Sequence, residues 1–137
     1  MQQATSTSLD AVLTEARNLV QQLLAASCCD IRDIPTVQGV YLIHGKDGEI
    51  IYVGKGKNLK RRICDDHRGG DEKMSTSTFR RSISKLHGIS AGKPVRQWVF
   101  DNCSFSFITV PDADLCSAVE ALTVYLLRKQ GCGLLNS

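Results

Sequence analysis

The first strong pattern along the chain is helical: apolar residues recur every three or four positions between residues 8 and about 27. The recurring positions are Leu9, Val12, Leu13, Leu19, Val20, Leu23 and Leu24. This spacing predicts an amphipathic helix, with Ser8 as a suitable N-cap. We expect its apolar stripe to pack on the body of the domain, with a second copy of the chain as the alternative.

The pattern then changes to two short strands, predicted at residues 40–44 and about 49–53, with turn chemistry in Lys46-Asp47-Gly48. Tyr41 lies in the first strand and Tyr52 in the second. A connecting loop of two or four residues places both phenols on one face, whereas an odd number of residues separates them. Cross-strand packing is the alternative to a functional role for this pair.

Further elements follow the hairpin. They are a helix from residue 59, short helices at 78–86 and 95–100, a strand at 105–110 and a last helix at about 114–130. The last helix is apolar nearly all round, yet it carries Glu120 near its middle. A carboxylate in such a position requires a cation, a metal ion or a hydrogen-bond partner, so Glu120 is a candidate functional acid.

The helix from residue 59 has a defined inward side, marked by Leu59 and Ile63. At 100° per residue, Arg62 falls beside this side and Arg61 points away from it. A partly buried guanidinium requires an anionic partner. Asp66 is the structural candidate, and a substrate phosphate is the functional one.

Charge is distributed unevenly along the chain. Residues 53–96 contain twelve Lys and Arg against four Asp and Glu, whereas the rest contains five against ten. This segment is either a solvated face or a surface for a polyanion. Our candidates for nucleic-acid contacts are Lys55, Lys57, Lys60, Arg61, Arg80 and Arg81.

Composition indicates a globular protein, since 42% of the residues are hydrophobic and three are proline. We expect a cytoplasmic protein without membrane contact, because no signal-peptide pattern and no apolar run of membrane-spanning length is present. Six cysteines without a C-x-x-C pair favour reduced thiols.

Taken together, the ordered set of residues resembles the GIY-YIG nuclease superfamily over about residues 35–137. The matching positions are Gly39-Val40-Tyr41 and Tyr52-Val53-Gly54 for the two signatures, Arg62 for the arginine, Glu120 for the late-helix glutamate and Asn136 for the terminal asparagine. The resemblance implies an α+β fold, a three-stranded antiparallel sheet flanked by helices. Residues 1–34 would add an N-terminal helix and connection that pack on a domain formed by residues 35–137.

The resemblance also implies an activity, the metal-dependent hydrolysis of phosphodiester bonds in DNA with one Mg²⁺ or Mn²⁺ ion. Glu120 would bind the metal ion, and Arg62 would stabilise charge on the phosphate. Tyr41 or Tyr52 would accept the proton from the attacking water. Because a phenol has an ordinary pKa near 10, it would need the nearby positive charge of Lys55, Arg62 and the metal ion.

The chain departs from the superfamily at one position. Many members carry a histidine or tyrosine four residues after the arginine, where this chain has Asp66. His67 follows and lies near the inward side of the helix, so it is a candidate proton relay.

Two alternatives to a DNA endonuclease are kept. One is a catalytically weak nucleic-acid-binding module with the nuclease fold, and the other is an interaction domain in which the tyrosines only pack. RNA is the alternative substrate to DNA. Specificity would come from a homodimer or from a partner protein.

Overall fold

The computed structural model describes residues 8–67, 78–90 and 92–136, without the side chains of residues 65–67 and 78. Its strands are β1 (Gly39–His44), β2 (Ile50–Gly56) and β3 (Ser104–Thr109). Its helices are α1 (Leu9–Ala25), α2 (Leu59–Arg61), α3 (Thr78–His87), α4 (Lys93–Asn102) and α5 (Ala113–Lys129). A wider π-helical segment, Arg62–His67, continues α2, and a short 3₁₀ turn, Ile31–Asp33, precedes β1.

The three strands form one antiparallel sheet in the order β2-β1-β3. The central strand β1 is buried along nearly its whole length because helices cover both of its faces. Val40 and Leu42 pack in the cluster that includes buried residues of α1 and α5, whereas Tyr41 and Ile43 pack in the cluster of α2, α3 and α4. The predicted α+β sheet flanked by helices is therefore confirmed.

Helix α1 begins after Ser8, whose side chain accepts a hydrogen bond from the Ala11 N–H at 3.0 Å, as the N-cap prediction expected. The second half of the helix buries its apolar stripe at Ala16, Val20 and Leu23. The predicted packing on the body of the domain is confirmed for these positions, whereas four apolar residues of the predicted stripe are exposed. The exposed positions are Leu9 (72%), Val12 (42%), Leu13 (50%) and Leu24 (37%).

The β1–β2 connection is longer than the predicted two or four residues, yet Tyr41 and Tyr52 still lie on one face of the sheet. Five residues, 45–49, join the strands. This odd number alone would place the two phenols on opposite faces. However, His44 pairs with Ile50 while Ile43 pairs with Tyr52, so Ile51 is an extra, bulged residue. The bulge shifts the register by one and returns Tyr41 and Tyr52 to the same face as diagonal neighbours.

The C-terminal segment covers the outer edge of β2. The Leu135 N–H donates to the Ile51 carbonyl at 2.7 Å. The Asn136 side-chain oxygen accepts from the Val53 N–H at 3.0 Å, and its amide donates to the Val53 carbonyl at 2.6 Å. These contacts satisfy backbone groups that an edge strand would otherwise expose.

None of the helices in residues 8–67, 78–90 and 92–136 has the length and apolar character required to cross a membrane. The division of the chain at residue 34 stays a prediction.

Candidate active site

Tyr41 is completely buried in the centre of the sheet, opposite Gly54 of β2. Its ring and hydroxyl lie across Gly54, where a Cβ would overlap both. Only glycine, which has no Cβ, leaves room here for the Tyr41 side chain, and this is a physical reason for the glycine at the end of Tyr52-Val53-Gly54.

Tyr52 lies on the edge strand, with 7% of its surface exposed. Its ring centroid is 6.5 Å from that of Tyr41, with the planes 24° apart. The Phe79 ring of α3 packs on it at 5.4 Å. The two phenols are thus fixed side by side, and Tyr52 is the one nearer the surface.

Arg62 is partly buried and contacts both phenols. Its guanidinium donates a hydrogen bond to the side chain of Tyr41 and to that of Tyr52. Gly56 leaves room for the stem of Arg62, since a Cβ there would stand 3.0 Å from the arginine Cβ. Arg61, one position earlier, is exposed, so the structure distinguishes the two arginines as the helical angles did.

The helical turn that positions Arg62 begins at Asn58. The side-chain oxygen of Asn58 accepts a hydrogen bond from the Arg61 N–H at 3.0 Å. The backbone carbonyl of Asn58 accepts one from the Arg62 N–H at 2.9 Å. This N-cap fixes the start of α2 immediately after the glycine-rich end of β2.

Glu120 reaches the same region from α5, on the other side of the sheet. Its side chain is half-buried, and burial raises the pKa of its carboxyl above the ordinary 4.5, against the lowering influence of Lys55 and Arg62. The carboxylate therefore lies within electrostatic reach of two cations, and also of both phenols.

Burial is also the main influence on the phenols. It raises the pKa of Tyr41 and of Tyr52, and the charge of Arg62 is the largest opposing influence on both pKa values. The nearby Arg81 further lowers the pKa of Tyr52. Both side chains are consequently neutral hydrogen-bonding groups until more positive charge is brought to the site.

An open hollow of about 430 Å³ lies beside Tyr52 and Glu120. It is lined by Tyr52, Glu120, Ala121, Val124, Tyr125, Arg128 and Asn136. Neither Tyr41 nor Arg62 is among its lining residues. Tyr125 and Arg128 were not predicted, although the helical spacing of α5 puts both within 140° of Glu120.

The donor set suits a hydrated divalent cation. Among the described residues, no group of three His, Cys, Asp or Glu side chains converges. Glu120 is a carboxylate at the wall of an open hollow, and Mg²⁺ commonly takes one or two protein carboxylates with waters and substrate phosphate as its remaining ligands. The residues present therefore fit such an ion.

Most of the predicted nucleic-acid contacts lie at the surface, but one does not. Lys55, Lys57, Lys60, Arg61 and Arg81 are exposed. Arg80 is a correction: its side chain is completely buried in the fold, which removes it from any DNA-contacting surface.

The predicted relay His67, together with Asp66, has a side chain outside the part of the chain that the structure describes. The backbone of both residues belongs to the π-helical segment Arg62–His67. Their roles stay predictions.

Each comparison with known proteins finds UvrC or a UvrC-like domain. Residues 37–95 match the family model described as the UvrC-like GIY-YIG domain. The UvrABC system protein C of Koribacter versatilis is 50% identical over 52 residues, covering 37% of this chain and 8% of that protein. The protein of the same name from Methanococcus maripaludis is 32% identical over 73 residues, covering 53% of this chain and 14% of that protein. The chain thus matches only a small part of each of these curated relatives.

Among solved structures, a point mutant of the N-terminal GIY-YIG endonuclease domain of UvrC from Thermotoga maritima aligns over 90% of this chain and 96% of that chain. The two are 20% identical, with a TM-score of 0.42. That domain is described as bound to its catalytic divalent cation.

Proposed function

We propose, since the chain contains a domain of the GIY-YIG superfamily, that it is an endonuclease hydrolysing phosphodiester bonds in DNA at the β2 edge of its sheet. The observation that carries this proposal is the position of Arg62, which bonds both signature phenols and lies within electrostatic reach of Glu120. Packing alone does not require a cation and a carboxylate beside two buried phenols.

Arg62 is proposed to bind the scissile phosphate. A guanidinium offers several N–H donors in a planar fork, and it keeps its charge throughout the reaction. Held by the two phenols before substrate arrives, it is preorganised for the additional negative charge of the pentavalent phosphorus.

Tyr52 is the better placed of the two phenols to accept a proton from water. Tyr52 lines the hollow together with Glu120, whereas Tyr41 is fully buried and does not line it. In the proposed step, the water oxygen forms a bond to phosphorus, its proton passes to a Tyr52 phenolate and the P–O bond to the leaving group breaks. The leaving oxygen takes its proton from solvent. Tyr41 orients Arg62 through their hydrogen bond.

Glu120 is the residue that would hold a divalent cation, Mg²⁺ or Mn²⁺. When bound, such an ion would neutralise phosphate charge and lower the pKa of groups nearby. Burial raises the Tyr52 pKa, so its ionisation depends on this positive charge together with that of Arg62 and Arg81.

The test is nicking of supercoiled plasmid DNA in Mg²⁺ or Mn²⁺, with DNA binding followed in parallel by fluorescence anisotropy. Glu120→Gln is expected to abolish nicking while binding survives. Glu49→Gln, an exposed carboxylate in the β1–β2 turn, is the matched control and should cut normally. Undiminished nicking by Glu120→Gln would remove the metal assignment.

Binding without cleavage by the unmodified chain, across several divalent metals, would favour the catalytically weak binding module instead. The same assay with an RNA duplex separates the two nucleic-acid substrates. Specificity supplied by a second copy or a partner protein stays a prediction, which sedimentation of the chain with and without DNA would test.

A further inference from the structure

The hollow at the proposed active site extends past Glu120 along α5. Its far wall is formed by Tyr125 and Arg128, one to two helical turns beyond the glutamate. Five residues of α-helix between Glu120 and Tyr125 correspond to a rise of about 7.5 Å. At 3.4 Å or more for each nucleotide along a strand, this distance covers at most about two nucleotides.

Tyr125 contributes little to the packing of the domain. Its side chain is 64% exposed, and it belongs to neither of the two core clusters. By contrast, Thr123 and Leu127, its neighbours two positions away on either side, are buried. Its ring is thus a solvent-exposed aromatic surface at the rim of the hollow.

One cation lies against this ring, and a second lines the same hollow. The Lys129 ammonium lies 5.5 Å from the ring centroid, over its face. The Arg128 guanidinium donates to the Asn136 carbonyl at 3.0 Å, which ties it to the wall of the hollow. An aromatic face with flanking positive charge is the combination that binds a nucleobase and its phosphate in single-stranded nucleic acid.

We propose that Tyr125 stacks on a nucleobase within two nucleotides of the phosphate at Glu120, an inference that rests on the proposed function. A base paired within a duplex has no free face for such a ring. The preferred substrate is therefore DNA with an unpaired or displaced nucleotide beside the cleaved bond. The charge around the ring and its continuity with the proposed site favour a nucleobase over an apolar segment of a partner protein.

The experiment uses the full chain, without divalent metal, and duplex oligonucleotides that carry 2-aminopurine at a single unpaired nucleotide. Stacking quenches the fluorescence of this base analogue. We expect quenching of the unpaired base, its loss in Tyr125→Ala and its retention in Tyr125→Phe. When Mg²⁺ or Mn²⁺ is added, the cut should fall within two nucleotides of the quenched base. The matched control is Phe100→Ala, since Phe100 of α4 is an aromatic of similar exposure (60%) outside the hollow.

The affinity of Tyr125→Ala for DNA with an unpaired nucleotide should fall about 5- to 160-fold, the range that one base–aromatic stack is worth. Its affinity for a fully paired duplex should change less than about 2-fold on the same basis. Equal quenching and affinity in wild type and Tyr125→Ala, the outcome expected of a protein-docking surface, would overturn the proposal. Quenching that depends on Tyr125 in a chain that never cleaves would support the stack and contradict the endonuclease instead.

Discussion

The hydroxyl of Tyr41 lies directly across the α-carbon of Gly54, with no space for a side chain between them. The two signatures are therefore one interlocked unit: the glycine that ends the second signature makes room for the tyrosine that ends the first. This relationship predicts how a small change at Gly54 acts at the site.

Gly54→Ala should displace the Tyr41 ring from Arg62 and destabilise the fold by about 1–3 kcal/mol, the usual cost of overpacking a core. Denaturant unfolding measures the stability, and plasmid nicking measures the effect on the site. Gly133→Ala is the control, because a Cβ there meets nothing within 4 Å. Equal stability of the two variants would show that the ring moves aside without cost.

Asn136→Ala should expose the backbone of Val53, because both side-chain hydrogen bonds to that residue are lost. At about 0.5–1.5 kcal/mol for each bond, a destabilisation of about 1–3 kcal/mol is expected. Hydrogen exchange of the Val53 amide, followed by NMR, should accelerate. Asn102→Ala, which removes a bond to the Trp98 carbonyl at the end of α4, should leave that amide protected. Unchanged Val53 exchange in Asn136→Ala would mean that the tail does not stabilise β2.

Arg62→Gln should raise the pKa of Tyr52 further. Burial raises this pKa in the folded protein, and the positive charge of Arg62 is the largest opposing influence, so its removal leaves burial less opposed. Phenolate absorbance followed against pH, in a Tyr125→Phe background that leaves only Tyr41 and Tyr52 to titrate, should shift to more alkaline pH. Nicking should fall about 100-fold or more.

The control for this prediction is Arg61→Gln, since Arg61 is the adjacent arginine and is exposed. Its titration should match that of the unmodified chain. A phenol titration that shifts to lower pH in Arg62→Gln would show that opening the site to water outweighs the lost charge.

Leu23→Ala should destabilise the protein by about 2–5 kcal/mol, because Leu23 lies on the side of α1 that faces the sheet and is completely buried. Leu13→Ala, at a position 50% exposed on the same stripe, should change stability by no more than about 0.5 kcal/mol. Thermal or denaturant unfolding distinguishes the two. A large loss for Leu13→Ala would indicate that a second copy covers the first half of the helix.

Local patterns were sufficient to predict most of the fold. The strand alternation of residues 105–110 and the helical repeats predicted at residues 8–27 and about 114–130 correspond to elements of the structure. The inward direction of Arg62 followed from helical geometry alone. These features depend on side-chain periodicity, which the order of residues states directly.

Features that depend on tertiary packing were missed. The bulge at Ile51 and the pairing of residues 135–136 with β2 have no short-range signal. Arg80 was expected at the surface because of its charge and is instead buried. Tyr125 was overlooked because its importance depends on sharing a hollow with Tyr52 and Glu120, which lie far apart in the chain.

The β1–β2 bulge has a consequence for how this hairpin can change length. Tyr41 and Tyr52 share a face whenever the number of loop residues plus bulged residues is even, as it is here with five and one. A one-residue deletion in residues 45–49 would therefore be compensated by the removal of Ile51. Either change alone would rotate Tyr41 and Tyr52 to opposite faces of the sheet, whereas both together preserve the pair. Turn length and the β2 bulge are thus coupled: the two phenols keep a common face after an insertion of two residues in the turn, or of one residue together with a compensating change in the bulge.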